Sequence, residues 1–233
     1  MALFNEIDKY FDLLLGKTDS FMPFNEKLKV IAHGGYPISK FIKLHDHTLK
    51  YLGELRNMIS HGLRVSGEVY AQPSAFAIQQ IKSYKDAILT PPTVLSCFHK
   101  DVYVCTLDSR LSKILIQMKE RHIWHVPVYK DEDMIGVITL DTLLEWFGDH
   151  LNGNQREVRV EDMTVYYYAD QYKFIDPSTS IYVIEQLFEQ ERAQGNVIEA
   201  IFLTPDGKAS RQLHGIITAS DIPLIMNKLL LTQ

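Results

Sequence analysis

Apolar residues recur every three to four positions through the first ninety residues, and that spacing predicts helices. Over 4–15 the apolar positions are Phe4, Ile7, Phe11, Leu14 and Leu15, with Gly16 as the stop. A shorter helix is predicted over 24–32, ended by Gly34 and Gly35. Ser39 reads as the cap of a long helix reaching Ser60, whose stripe is Phe41, Ile42, His45, Leu49, Leu52, Leu55 and Ile59. Gly62 follows His61 as a C-terminal stop. A further helix over 74–88 begins after Pro73, and Pro91-Pro92 closes this part of the chain.

From Thr93 onward the pattern changes to short β-rich runs alternating with helices. Strands are predicted over 102–106, 124–129 and 135–139, with helices over 111–121, capped by Asp108 or Ser109, and 142–147. Asp131, Glu132 and Asp133 read as a solvated turn, and the polar stretch 148–159 as a linker. The order then recurs: strands over 172–175, 197–203 and 213–218, with helices over 181–192 and 221–231. Two copies of one unit in tandem imply a duplicated module whose sheets bury each other. The fold class expected is α+β, an N-terminal all-α bundle followed by two tandem β-α-β-β-α repeats. The expected domains are 1–90, 91–150 and 160–233.

A short motif marks both copies: Gly136-Val137-Ile138-Thr139, and Gly215-Ile216-Ile217-Thr218-Ala219-Ser220-Asp221. In the second, a strand delivers Thr218 into the first turn of a helix, where a hydroxyl and free N–H groups suit a phosphate. Asp221, three residues on, can accept hydrogen bonds from both hydroxyls of a ribose. Ile175, Ala200 and Phe202 are expected to supply apolar area for the base. The competing reading is that Thr218 and Asp221 cap the last helix. In copy one Thr142 stands at the acid's place and Asp141 falls one residue early, a rotation of about 100° on a helix. One good site, built mainly by copy two, is therefore expected, with a weak or empty one at copy one.

The duplicated frame resembles a tandem pair of cystathionine-β-synthase-type (CBS) domains, a Bateman module, over about 93–231. The resemblance rests on Leu111 to Met118, His125-Val126-Pro127-Val128 and Gly136 to Thr139 in copy one. In copy two it rests on Ile175 to Ser180 and Gly215 to Asp221. Copy two departs from the family in having Phe202-Leu203 where a proline is frequent. The resemblance implies a regulatory sensor binding an adenine nucleotide (AMP, ADP or ATP) in clefts between the copies. It adds Asp176, Thr106, Val126, Pro127 and Thr139 to the candidate residues.

Leu55-Arg56-Asn57-Met58-Ile59-Ser60-His61-Gly62 resembles the signature of the HEPN helical domains, many of which are metal-independent ribonucleases acting as dimers. The chemistry is coherent: an Arg fork grips a phosphodiester, and a near-neutral His moves protons at a ribose hydroxyl. Asn57 and His61, four apart, share a helical face on which the amide can orient the imidazole. The alternatives are that Arg56 pairs with an acid and His61 serves the helix end, leaving the helices to dimerise or dock a partner. His45-Asp46-His47 is read as solvated or core rather than a metal cluster. Tyr166, Tyr167 and Tyr168 are read as interface or strand surface.

Among 233 residues, 46% are hydrophobic and 23% charged, the balance of a soluble globular protein. No apolar run approaches the roughly 18 to 20 residues of a membrane span, the acidic N-terminus does not read as a secretory signal, and a cytoplasmic location is expected. Two cysteines, Cys97 and Cys105, suggest neither a disulfide framework nor a zinc site, and no metal is expected. Net charge is −5, divided unevenly: residues 1–90 hold 11 basic against 9 acidic residues, residues 91–233 hold 13 against 20. The helical part can therefore tolerate RNA as a partner, and the acidic remainder does not present a broad nucleic-acid surface. A homodimer is expected.

Overall fold

A computed structural model describes residues 2–17, 20–61, 64–65, 68–69, 72–98, 101–151, 158–166, 171–209 and 212–230. The side chains of His61, of 64–65 and 68–69, and of 164–166 lie outside this description, as do Gly62, Tyr167 and Tyr168. The chain is mixed α+β: a helical N-terminal region, then strand–helix elements built on two three-stranded sheets. It divides into two compact units, 1–92 with 180–187 and 222–233, and 93–179 with 188–221.

The helical unit holds α1 (Ala2–Leu14), α2 (Phe24–His33), α3 (Ser39–His61) and α4 (Ala75–Leu89), with the short antiparallel pair β1 (Arg64–Val65) and β2 (Glu68–Val69) after α3. The apolar stripes face inward as their spacing requires: Phe4, Ile7, Phe11, Leu28, Ile31, Phe41, Ile42 and Leu49 are buried. Gly16, at φ +63°, turns the chain just past α1. Gly53 leaves room for the Phe24 ring, which would lie 3.1 Å from a Cβ. Lys27 is 3% exposed and bonds Asp8 at 2.6 Å and Asp12 at 2.7 Å, so one buried cation is matched by two acids a turn apart on α1. Ser39 does not cap its own helix; its hydroxyl donates to the Ile31 carbonyl at the end of α2.

Two helices of the second copy lend residues to this unit. The first turns of α8 (Ile181–Ala193) bring Glu185 to Lys40, and Tyr182 donates to the Ala87 carbonyl at 2.9 Å. At the end of α9 (Ile222–Leu229) the Leu229 carbonyl lies 2.8 Å from His45 Nε2, while the Tyr84 hydroxyl lies 3.1 Å from Nδ1. A carbonyl cannot donate, so Nε2 carries the hydrogen, and His45 serves the open end of α9. His45 is thus a packed, bonded residue, while Asp46 pairs with Lys50 at 2.6 Å. The compact units cut across the expected domain boundaries because these turns of copy two bury their apolar faces among the N-terminal helices.

The second unit begins with α5 (Val94–Phe98), a helix the hydrophobic pattern did not reveal because it is one turn and a half long. Each copy then builds the same sheet. In copy one β3 (Cys105–Thr106) runs parallel to β4 (Val126–Lys130), which pairs antiparallel with β5 (Asp133–Ile138). In copy two β6 (Tyr172–Ile175) runs parallel to β7 (Ala200–Leu203), which pairs antiparallel with β8 (Gly215–Thr218). Helices α6 (Leu111–Arg121) and α7 (Leu140–Asp149) cover copy one, where Leu111, Ile114, Met118, Leu143 and Trp146 pack on Val126, Val128 and Ile138. The two sheets meet through Val137 of β5, which packs with Tyr172, Ala200 and Phe202. Gly215 admits no side chain, because a Cβ there would run into the Phe98 carbonyl at the end of α5.

Candidate functional site

Antiparallel pairing brings the ends of β5 and β8 beside the starts of β4 and β7. Thr139 follows β5 and caps α7: its hydroxyl accepts from the Thr142 N–H at 3.2 Å, while Thr142 Oγ1 accepts from the Thr139 N–H at 2.8 Å. This is a closed capping box, and Thr142 is 1% exposed. Thr218 ends β8 and repeats the arrangement with an acid: its N–H and hydroxyl donate to Asp221 Oδ2 at 2.9 and 3.2 Å. Its Oγ1 also lies 2.7 Å from Ser220 Oγ. Asp221 is half-buried and holds the turn Ala219–Asp221 that leads into α9. So the capping role weighed for this pair is present.

His125 precedes β4 and Glu199 precedes β7, and their side chains approach to 3.6 Å, Nε2 to Oε2. Burial pushes the His125 pKa below its ordinary value, against the opposing pull of Glu199, Asp141 and Asp221. Desolvation wins, so at neutral pH the imidazole is neutral and the contact is dipolar rather than an ion pair. Asp141 and Asp221, one from each copy, therefore both act on a single half-buried ring. Beside Thr139 and Asp141 lies a cavity of about 260 Å³, completed by Leu144, Glu145 and Gln171. Gln171 comes from the second copy, immediately before β6.

The other residues expected at the site divide by register. Tyr172, Ala200 and Thr218 lie side by side across the second sheet, whereas Ile175, Leu203 and Gly215 do so at its far end. Three residues of strand separate the two rows, roughly 10 Å. Ile175 and Asp176 therefore lie toward the other end of the sheet from Thr218. Asp176 instead accepts from the Ser178 N–H at 2.7 Å and hydroxyl at 2.5 Å, hydrogen bonds that hold its carboxyl below the usual range. Thr106 likewise sits across from Tyr129, away from Thr139, and bonds Asp108 at 2.5 Å. Val126 and Pro127 pair with Ile138 and Val137 near Thr139, but both are buried. Ala200 and Phe202 are fully buried in the inter-sheet core, so their side chains offer a base no open face. His125, Glu199 and Gln171 were missed in the sequence. Their signal was positional, since each directly precedes a strand whose start lies at the motif end of its sheet.

In the helical unit Arg56 Nη1 donates to Asn57 Oδ1 at 3.0 Å, so that oxygen serves Arg56. The guanidinium lies 5.8 Å from the centre of the Phe4 ring. Arg56 Nε is buried without a hydrogen-bond partner, and no acid among the described residues forms an ion pair with this side chain. The backbone of His61 closes α3; its side chain lies outside the described residues. Among the described residues no group of three or more His, Cys, Asp or Glu is arranged to hold a metal ion. None of their helices is long and apolar enough to cross a membrane.

Residues 95–149 match the family model of the CBS domain. Solved structures similar to the chain include a protein assigned to acetoin utilization from Vibrio cholerae, 18% identical over 60% of this chain and 93% of that one, at TM-score 0.46. Another is the CBS domain pair of protein MJ0100 in complex with 5′-methylthioadenosine and S-adenosyl-L-methionine, 12% identical over 59% and 97%, at TM-score 0.43. A third is a hexameric CBS-CP12 protein from bloom-forming cyanobacteria, 17% identical over 57% and 69%, at TM-score 0.41. No curated protein matches the chain in sequence.

Proposed function

We propose that this protein is a regulatory module that senses an adenosine-containing nucleotide at the motif end of its paired sheets. The observation that carries the reading is the strand-to-helix turn that ends the sheet of each copy, Thr139–Thr142 and Thr218–Asp221, with an acid, Asp141 or Asp221, in each. Thr218 offers the phosphate a hydroxyl at a helix start, and Asp221 brings the ribose a carboxylate three residues on. Thr139 and Gln171 supply polar groups from the cavity beside the first copy's turn. Acids crowd this end, so AMP, carrying the least phosphate charge of AMP, ADP and ATP, is the preferred ligand. Ala200 and Phe202 shape the site from behind. A ligand at about 100 times its dissociation constant stabilises the fold by about 2.7 kcal/mol, a melting shift on the order of 5–10 °C for a chain of this size. Thermal melting with AMP, ADP, ATP, S-adenosylmethionine and cyclic dinucleotides tests this. No shift with any of them, or an equal shift in Asp221→Ala, overturns it.

The helical unit is the output of this sensor. Arg56, whose guanidinium no described acid neutralises, keeps the capacity to hold a phosphodiester, with Asn57 orienting it and His61 as the proton carrier in a homodimer. The competing output is dimerisation or docking of an effector without catalysis. RNA cleavage without added metal, reduced about 10²–10⁴-fold in His61→Ala, supports the first; cleavage unchanged by that substitution supports the second.

A further inference from the structure

The cavity between α1, α3 and α4 is the least explained feature of the helical unit. It holds about 260 Å³ and is walled by Leu52, Leu55, Ile59, Ala77 and Ile81, with Arg56 as the single charged residue among its described lining. We propose that it binds a small amphiphilic anion, a medium-chain carboxylate whose tail fills the apolar chamber and whose head meets Arg56.

Three observations lead there. Arg56 brings a permanent positive charge to an apolar wall, and its Nε is buried without a partner, a state that costs free energy until an acceptor arrives. The acid that could have neutralised it is already taken: Asp8 is held at 2.6 Å by Lys27. Asp8, Asn25, Asn57, Phe4 and Arg56 line a second, more polar cavity of about 190 Å³. Arg56 and Phe4 belong to both chambers, so the guanidinium stands between an almost wholly apolar compartment and one where Asp8, Asn25 and Asn57 join the apolar walls of Phe21, Met22 and Phe24. That order, tail space, cation, polar space, is the outline of an amphiphile.

The head is a carboxylate because the planar guanidinium matches it in geometry and charge. The tail length follows from volume. A cavity of roughly 150 Å³ accommodates a six-carbon ring, and by the same scaling this chamber takes a chain of about six to ten carbons. A nucleotide does not suit it, because the large chamber offers its base and phosphates one polar partner. The proposal is independent of the nucleotide site, which lies in the other unit.

Calorimetric titration of the full chain with sodium octanoate, 1-octanol and octyltrimethylammonium tests this, each kept below its micelle-forming concentration. Octanoate is expected to bind about tenfold or more tighter than octanol, the worth of a charge-assisted hydrogen bond, and the cation not to bind. Arg56→Met should lower octanoate to the level of octanol while leaving octanol unchanged. Ala77→Phe, which fills the chamber and leaves the cation in place, should weaken both. The proposal is overturned by equal affinity for octanoate and octanol, or by octanoate binding that survives Arg56→Met or Ala77→Phe. It is also overturned by an absence of binding, including the case where sedimentation shows a second copy of the chain covering the cavity.

Discussion

The two copies carry similar strand-to-helix turns, closed by a hydroxyl in one and a carboxylate in the other. Three residues after Thr139 stands Thr142, a neutral hydroxyl, almost wholly buried and closed on Thr139 in a reciprocal box. Three residues after Thr218 it is Asp221, a charged group, half-buried and bonded to Thr218 by one of its two oxygens. A hydroxyl can be sealed inside because its hydrogen bonds are fully met. A carboxylate stays partly wet because burying its charge costs far more than burying a hydroxyl. The two turns therefore differ in the charge and exposure of the group that accepts the threonine N–H. Yet the cavity with described walls lies beside Thr139 and Asp141, at the copy whose turn is sealed. The acid displaced by one position thus has open space beside it.

The comparison can be broken most sharply at the buried hydroxyl. Thr142→Val keeps the shape but leaves the Thr139 N–H without its acceptor, and should lower stability by about 1–3 kcal/mol in urea unfolding. A loss below a few tenths would mean the box is incidental. Asp221→Ala removes the corresponding acceptor at a wetter site and should cost about 0.5–2 kcal/mol. Asp221→Asn retains a cap oxygen and should recover most of that stability while still abolishing the nucleotide-induced melting shift. Recovery of both would assign Asp221 to capping alone.

The smallest effect belongs to the ring between the acids. The folded pKa of His125 lies below that of the unfolded chain, so the unfolded state binds the proton more readily. The stability due to this group is complete above about pH 6.5, its unperturbed value, and is lost as pH falls from there toward the folded pKa. His125→Gln should flatten that part of the stability profile between pH 7.5 and 5.5. Glu199→Gln should steepen it, because one of the charges favouring the imidazolium is gone.

Much of the architecture could be read from spacing. The helices over 4–15, 39–60 and 74–88 match α1, α3 and α4 to within a residue or two, because an amphipathic stripe is set by neighbours three and four apart. The tandem order of both sheets was legible for the same reason. The membership of the site was less so. Ile175, Asp176 and Thr106 carry suitable chemistry, but register places them a sheet's length from Thr218 and Thr139. Ala200 and Phe202 lie on the right sheet, but Val137 of the other copy packs against them. Each depends on a pairing or packing contact distant along the chain.

The amino-acid order determined where the chain turns, which faces are apolar, and that a hydroxyl and an acid stand three residues apart at the second copy's turn. All of these follow from interactions within a few residues. Tertiary structure decided which strand ends meet, that His125 is half-buried opposite Glu199, that Lys27 takes Asp8, and that Arg56 is left facing an apolar chamber. Those outcomes require competition among groups far apart in sequence for the same neighbours, and only the folded chain resolves that competition.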